Sequence, residues 1–137
     1  MKVAVIGSRS FSTYEIMAKH LSTYAISEIV SGGARGADTL AEQYAACKNI
    51  PLKRFLPDWR RYGRAAGIRR NCDIINYADQ VIAFWDGNSR GTKHSITYAQ
   101  GQGKKIFIVR VGGKVLPEPI PKESYEHSKE RGCNEYV

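Results

Sequence analysis

The 137-residue chain has little of what marks membrane, secreted or metal-binding proteins. No apolar run approaches the ~20 residues that a bilayer span needs. The N-terminus enters Lys2-Val3-Ala4-Val5-Ile6 at once, a stretch too short and too strand-like for a signal peptide. Cysteine is sparse. Cys47, Cys72 and Cys133 are odd in number and widely spaced, which suggests neither a disulfide framework nor a metal site. His94 has no Cys or His near it, so no metal is expected there either. A reduced, cytoplasmic protein without metal or cofactor is the expectation. Repeats and low-complexity segments are absent. The hydrophobic share of 42% excludes a disordered or collagen-like chain, and the length suits one domain. Acidic residues are also scarce, 13 against 21 basic, for a net charge of +8. This imbalance favours an anionic partner: nucleotide phosphate, nucleic acid or an acidic protein.

What is present is an alternation of apolar runs and amphipathic stretches. Residues 2–7, 27–31, 51–56, 80–85 and 105–111 read as strands, β-branched and stopped by Gly, Ser, Pro or Asp. Helices are predicted from Ser12 or Thr13 to about Tyr24, over 37–48, in the second half of 62–77, and from Thr92 to about Gly101. Five strands separated by helices imply βαβ units. The predicted fold class is α/β: a three-layer, Rossmann-like arrangement with a mainly parallel five-stranded sheet and helices on both faces. Residues 1–111 form this domain. Residues 112–137, with three prolines between Leu116 and Pro121, are a C-terminal extension packed on it or trailing from it.

Ligands of open parallel sheets bind outside the carboxyl ends of the strands. The segments that follow the first four strands are rich in Gly, Ser, Arg and Asp. Gly7-Ser8-Arg9-Ser10 follows the first. Ser31-Gly32-Gly33-Ala34-Arg35-Gly36-Ala37-Asp38 follows the second, Asp58-Trp59-Arg60-Arg61 the third, and Asp86-Gly87-Asn88-Ser89-Arg90-Gly91-Thr92 the fourth. Arg9, Arg35, Arg60, Arg61, Arg64, Arg69, Arg70 and Arg90 would fringe this one edge. Two glycine turns open helices there, where free N–H groups and the helix dipole suit phosphate. Neither turn is a P-loop or a G-x-G-x-x-G fingerprint, and each also fits a plain strand-to-helix turn. Trp59, Tyr62 and Trp85 could stack a ring or simply pack. Asp38 and Asp58 could orient ribose hydroxyls, although Asp38 also suits a first-turn helix acid. Cys72 reads as a packed residue of a helix.

The motifs Val5-Ile6-Gly7-Ser8-Arg9, Val30 to Asp38, Pro57-Asp58-Trp59, Arg70-Asn71, Ala78-Asp79 and Gly91-Thr92 resemble the SLOG superfamily, in its YspA/YpsA-related branch. The resemblance spans about residues 2–111. It implies a Rossmann-like fold that binds nucleotides or nucleotide-derived ligands. Relatives include phosphoribohydrolases, the DNA-uptake protein DprA and sensor domains. It also implies homo-oligomers, for which helical faces with Tyr14, Met17 or Tyr98 could serve. In the phosphoribohydrolase branch an Arg-Lys pair precedes the fourth strand and Pro-Gly-Gly-x-Gly-Thr-x-x-Glu follows it. Here Arg70 fits the arginine, Asn71 holds the lysine place, Gly91-Thr92 fits the Gly-Thr, and Ser95 holds the glutamate place. A serine cannot replace a carboxylate in N-glycosidic cleavage. Arg70 and Asp86 are the candidate catalytic residues if hydrolysis occurs.

The leading expectation is therefore a domain that binds a nucleoside phosphate or a ligand of the NAD or ADP-ribose type. Its ligand-binding residues would be Gly7, Ser8, Arg9, Ser31, Gly32, Gly33, Arg35, Gly36, Asp38, Asp58, Trp59, Arg70, Asn71, Ser89, Gly91 and Thr92. A phosphoribohydrolase-like enzyme and a DprA-type binder of single-stranded nucleic acid are the alternatives.

Overall fold

A computed structural model describes residues 1–111. The expected extension 112–137 lies outside the described residues. Five strands form one fully parallel sheet in the order β3-β2-β1-β4-β5: β1 (Lys2–Gly7), β2 (Glu28–Ser31), β3 (Leu52–Arg54), β4 (Gln80–Trp85) and β5 (Lys105–Arg110). Helices α1 (Tyr14–Leu21), α2 (Ala37–Lys48), α3 (Trp59–Tyr62), α4 (Ala66–Tyr77) and α5 (Arg90–Gly101) connect them, with a 3₁₀ turn at Gly63–Ala65. The fold is the Rossmann-like α/β class expected from the sequence.

The period-2 alternation of a strand sorts its side chains onto two faces. Val3 and Val5 of β1, Ile29 of β2 and Ile82 and Phe84 of β4 pack under α1 and α2 with Met17, Leu21, Ala41 and Tyr44. Ala4 and Ile6, Val30, Val81 and Ala83 pack on the other face under α4 and α5 with Ile74, Ile75, Ile96 and Ala99. The central strands β1 and β4 are thus buried on both faces, which is why they read as unbroken apolar runs. Asp79 ties their starts together. Its N–H donates to the Lys2 carbonyl at 2.8 Å, and its carboxylate accepts from the Lys2 N–H at 2.8 Å.

The strand cores and α2 stand where the sequence puts them, and the departures have local causes. Helix α1 stops at Leu21 rather than near Tyr24 because the Ser22 and Thr23 hydroxyls turn back onto the Lys19 and His20 carbonyls. Thr13 occupies its N-cap position without a side-chain cap bond. Strand β3 shrinks to three residues because it has one neighbour, the four-residue β2, and only Ile29, Val30 and Ser31 offer it partners. Gly63, at φ 55°, separates α3 from the turn before α4. Tyr14 and Met17, expected on a subunit interface, are instead buried in the core, and the Tyr98 hydroxyl donates to Asn76 Oδ1 at 2.9 Å. Among the described residues no helix is long and apolar enough to cross a membrane.

Candidate ligand cleft at the strand ends

The strand order reverses between β1 and β4, since β1 leads onward to β2 on one side while β4 flanks it on the other. Connections leave in opposite directions at such a point and a crevice opens at the carboxyl ends of the strands. A cleft of about 460 Å³ lies there. The loop after β1 gives it Gly7, Arg9 and Ser10. The β2–α2 turn gives Ala34 and Asp38, and α4 gives Arg70, Asn71 and Ile74. Asp86, Ser89, Gly91, Thr92 and Ser95 come from the β4–α5 side.

Two glycines make the close approach possible. A Cβ on Gly7 would run into the carbonyl of Phe84 on β4, and one on Gly36 would run into the carbonyls of Ser8 and Arg9. Gly36 also has φ 76°, a region where a side chain is strained. Ser8 sits at the junction and is buried. Its N–H donates to Phe84 O at 3.0 Å, its carbonyl accepts from Phe11 and Ala37, and its Oγ accepts from the Asp86 N–H at 3.0 Å. Ser8 therefore builds the wall rather than facing the cleft.

Arg70 crosses from α4 to the β2–α2 turn. Its Nη1 donates to the Gly32 carbonyl at 2.6 Å and its Nε to Asn71 Oδ1 at 2.8 Å. A guanidinium carries five N–H donors, so donors remain for a ligand. Burial pulls its pKa down, Asp38 pulls it up and Arg9 again down. Asp38 accepts from the Ala34 N–H at 3.1 Å. Burial raises its pKa to about 6, against the opposing pull of the Ala34 N–H and Arg70.

Across the cleft, Asp86 closes the turn into α5. Its Oδ1 accepts from Asn88 N at 2.8 Å and Ser89 N at 2.9 Å. The Asn88 N–H above all, with those of Ser89 and the Ser8 hydroxyl, holds its carboxyl below the usual carboxylate range despite burial. Ser89 and Thr92 hydroxyls meet at 3.1 Å. Nothing lies within 4 Å of where a Cβ on Gly91 would be, and Gly91 and Thr92 both line the cleft, so there is room for a ligand beside the first turn of α5.

The β2–α2 turn is different. The Gly33 N–H goes to Ser31 Oγ at 3.1 Å, the Ala34 N–H to Asp38 and the Ala37 N–H to Ser8 O at 3.3 Å. These three donors serve the turn and its junction with Ser8, while the space beside Gly91 at the start of α5 is empty.

The remaining expected residues are placed as follows. Gly7, Arg9, Asp38, Arg70, Asn71, Asp86, Ser89, Gly91 and Thr92 line the cleft. Ser31 is buried and donates to Glu42 Oε2 at 3.2 Å. Gly32 and Gly36 shape the turn, and Gly33 faces Arg54 and Leu56. Arg35 is exposed outside the cleft lining. Asp58 caps α3 by accepting from the Arg61 N–H at 3.1 Å, and Trp59 is 60% exposed. Trp85 packs with its Nε1 donating to Ser89 O at 3.1 Å. Of the eight arginines assigned to this edge, Arg9 and Arg70 line the cleft. Ser10, Ala34, Ile6 and Ile74 line it without having been singled out. The first two sit inside segments already marked, and the apolar pair shows only when the strand and α4 are brought together. Cys72 is a half-buried free thiol whose burial, with Asp73 beside it, pushes its pKa up, the direction away from a reactive thiolate.

The sequence model of the YspA, cpYpsA-related SLOG family (YAcAr) matches residues 1–62. The Gene 61 protein of Mycobacterium phage D29 is 33% identical over 125 residues, covering 82% of this chain and 98% of that relative. The chain belongs to this SLOG family. Its SLOG fold is also similar to DNA processing protein A from Streptococcus pneumoniae, with TM-score 0.65 and 22% identity over 96% of this chain. The chain spans 56% of that longer protein. DNA processing protein A from Helicobacter pylori, described for its single-stranded DNA binding mode, matches with TM-score 0.63 and 23% identity over 97% of this chain and 73% of its own. At these identities the likeness is one of fold. Within this SLOG cleft Ser95 lies buried beside Gly91 and Thr92, a hydroxyl at the place where the phosphoribohydrolase pattern has glutamate.

Proposed function

We propose that the cleft binds a nucleotide or nucleotide-derived ligand by its phosphate. The observation that carries this reading is Arg70, pinned by Gly32 and Asn71 with donors to spare, in the same cleft as the open first turn of α5. A phosphate between them takes charge-assisted bonds from the guanidinium and backbone N–H groups from the helix start, where the dipole favours negative charge. Arg9 adds a second cation. The Thr92 and Ser89 hydroxyls lie beside the same turn.

Calorimetry against nucleoside mono- and diphosphates, NAD and ADP-ribose tests this. Wild type binds at least one of them, and Arg70→Ala weakens binding by about 10- to 100-fold, the scale of a hydrogen bond to a charged group. A wild-type protein that binds none of the panel overturns the reading. Chromatography of the same mixtures checks for released base, the signature of a hydrolase.

A second reading rests on a different surface. Tyr62 is flanked by Arg61 and Arg69, with guanidinium-to-ring distances of 5.2 and 4.3 Å, and Trp59 is exposed on the same short helix. Arg60 and Arg64 are exposed there too. Aromatic platforms among arginines suit single-stranded nucleic acid. A gel shift with an oligonucleotide that weakens with salt supports it, and no shift at low salt removes it.

A further inference from the structure

Asp38 is more than an acid that opens a helix. Its carboxyl folds back over the β2–α2 turn, where Oδ2 takes the Ala34 N–H. A Cβ on Gly32 would meet Arg70 Nη1 at 2.6 Å and Asp38 Oδ2 at 3.0 Å, so both side chains crowd the same side of one glycine. They nevertheless do not pair. Among the described residues the ion pair is Arg54–Glu42, at 2.5 Å, while Arg70 spends two donors on Gly32 and Asn71. Cation and carboxyl thus stand side by side at one wall of the cleft, each lining it.

The charged groups around Asp38 are few. Arg70 reaches it from α4, and Arg9, from the loop after β1, bears on Arg70. Glu42, one turn along α2, is engaged by Arg54 from β3. Asp86 lies on the β4–α5 side and is held ionised by its backbone donors. A phosphate docked on Arg70 therefore brings negative charge beside a carboxyl that takes the Ala34 N–H, with the Gly32 N–H also bearing on it, and that shares its nearest cation, Arg70, with the ligand. Like charges set side by side raise each other's pKa, and against a phosphate diester, which stays ionised, the carboxyl is the group that takes a proton.

We infer that Asp38 contacts the ligand in its protonated form, donating its O–H to an oxygen of the phosphate held by Arg70, so that the cleft takes up its anion together with a proton. This rests on the phosphate reading above. It makes Asp38 a specificity element that discriminates by the charge and acceptor oxygens of the ligand, a role distinct from orienting ribose. Burial already lifts the group to about 6 in the free protein, close to the range where a proton can be gained on binding.

The test is calorimetry of AMP and NAD binding to the whole chain, near neutral pH, in two buffers of different ionisation enthalpy. The diester pyrophosphate of NAD has no titrating phosphate near neutrality. For AMP the phosphate's own titration, near pH ~6, cancels when wild type is compared with Asp38→Asn. With NAD, wild type takes up a large fraction of a proton on binding and Asp38→Asn takes up none; with AMP, wild type takes up that much more than Asp38→Asn. Asp38→Asn binds about tenfold more tightly than wild type at alkaline pH and about equally in acid, since the amide is permanently neutral. Binding by wild type without proton uptake, or an Asp38→Asn that binds no more tightly at alkaline pH, overturns the role of Asp38. With NAD, proton uptake is read on wild type alone, so a poorly folded variant does not spoil the test. Failure of wild type to bind AMP, NAD or inorganic pyrophosphate instead overturns the phosphate reading, and this inference with it.

Discussion

Arg70 and Gly32 are 38 residues apart in sequence, yet the Arg70 guanidinium donates to the Gly32 carbonyl at 2.6 Å. The bond fixes a long cationic side chain from α4 against the turn after β2, at the mouth where β1 and β4 part. A flexible arginine loses about 2 kcal/mol of rotamer freedom when a ligand immobilises it. Here the fold has already spent part of that entropy, so the side chain meets an anion preorganised.

Arg70→Lys separates charge from geometry. Lysine keeps the positive charge but cannot hold Gly32 and Asn71 while facing the cleft, because it lacks the planar fork. Phosphate binding by calorimetry falls about tenfold, whereas urea denaturation changes by under about 1 kcal/mol.

Gly36→Ala strains the turn twice over, through its φ of 76° and through contact with the Ser8 and Arg9 carbonyls. The expected loss is about 1–3 kcal/mol of unfolding free energy in urea. Gly91→Ala is the control. Nothing lies within 4 Å of its added Cβ, so stability is unchanged or rises slightly with helix propensity, while ligand binding at the α5 start weakens.

Asp86→Ala removes the acceptor of the Asn88 and Ser89 N–H groups. The cost is about 1 kcal/mol by urea denaturation, the scale of a lost hydrogen-bond acceptor in a turn. Asp86→Asn retains an acceptor oxygen and loses less. If Asp86→Ala is neutral in stability, the turn is held by other contacts.

Asp38 also gives stability a pH dependence of known sign. Its folded pKa, about 6, lies above the ordinary carboxylate value. The folded state then holds the proton more tightly than the unfolded one. The contribution is fully present below about pH 4 and is lost as pH rises through 6. Asp38→Asn removes that loss. In thermal melts the variant gains stability relative to wild type as pH rises from acid toward neutrality, and a constant difference between the two contradicts this.

The sequence by itself determined the elements. Alternating and unbroken apolar runs fix β1 and β4, because each strand's neighbours on both faces are apolar whatever their identity. The helical spacing of Leu40, Ala41, Tyr44 and Ala45 and the glycines before them place α2 at 37–48, and the βαβ order implies the parallel sheet with its cleft at the strand ends. Local chemistry also marked Arg9, Arg70, Gly91 and Thr92. Tertiary structure alone decided how the cleft is wired. The Gly33, Ala34 and Ala37 N–H groups of the β2–α2 turn are taken by Ser31, Asp38 and Ser8, which no spacing reveals, and the space beside Gly91 at the start of α5 is open. Tyr14 and Met17 went to the core because α1 lies flat on the sheet. Asp38 acquired its raised pKa because it is buried at the wall of the cleft, which outweighs the opposing pull of Arg70 from α4. Periodicity is a property of neighbours in sequence, whereas hydrogen-bond partnership and desolvation depend on residues that meet only when the chain folds.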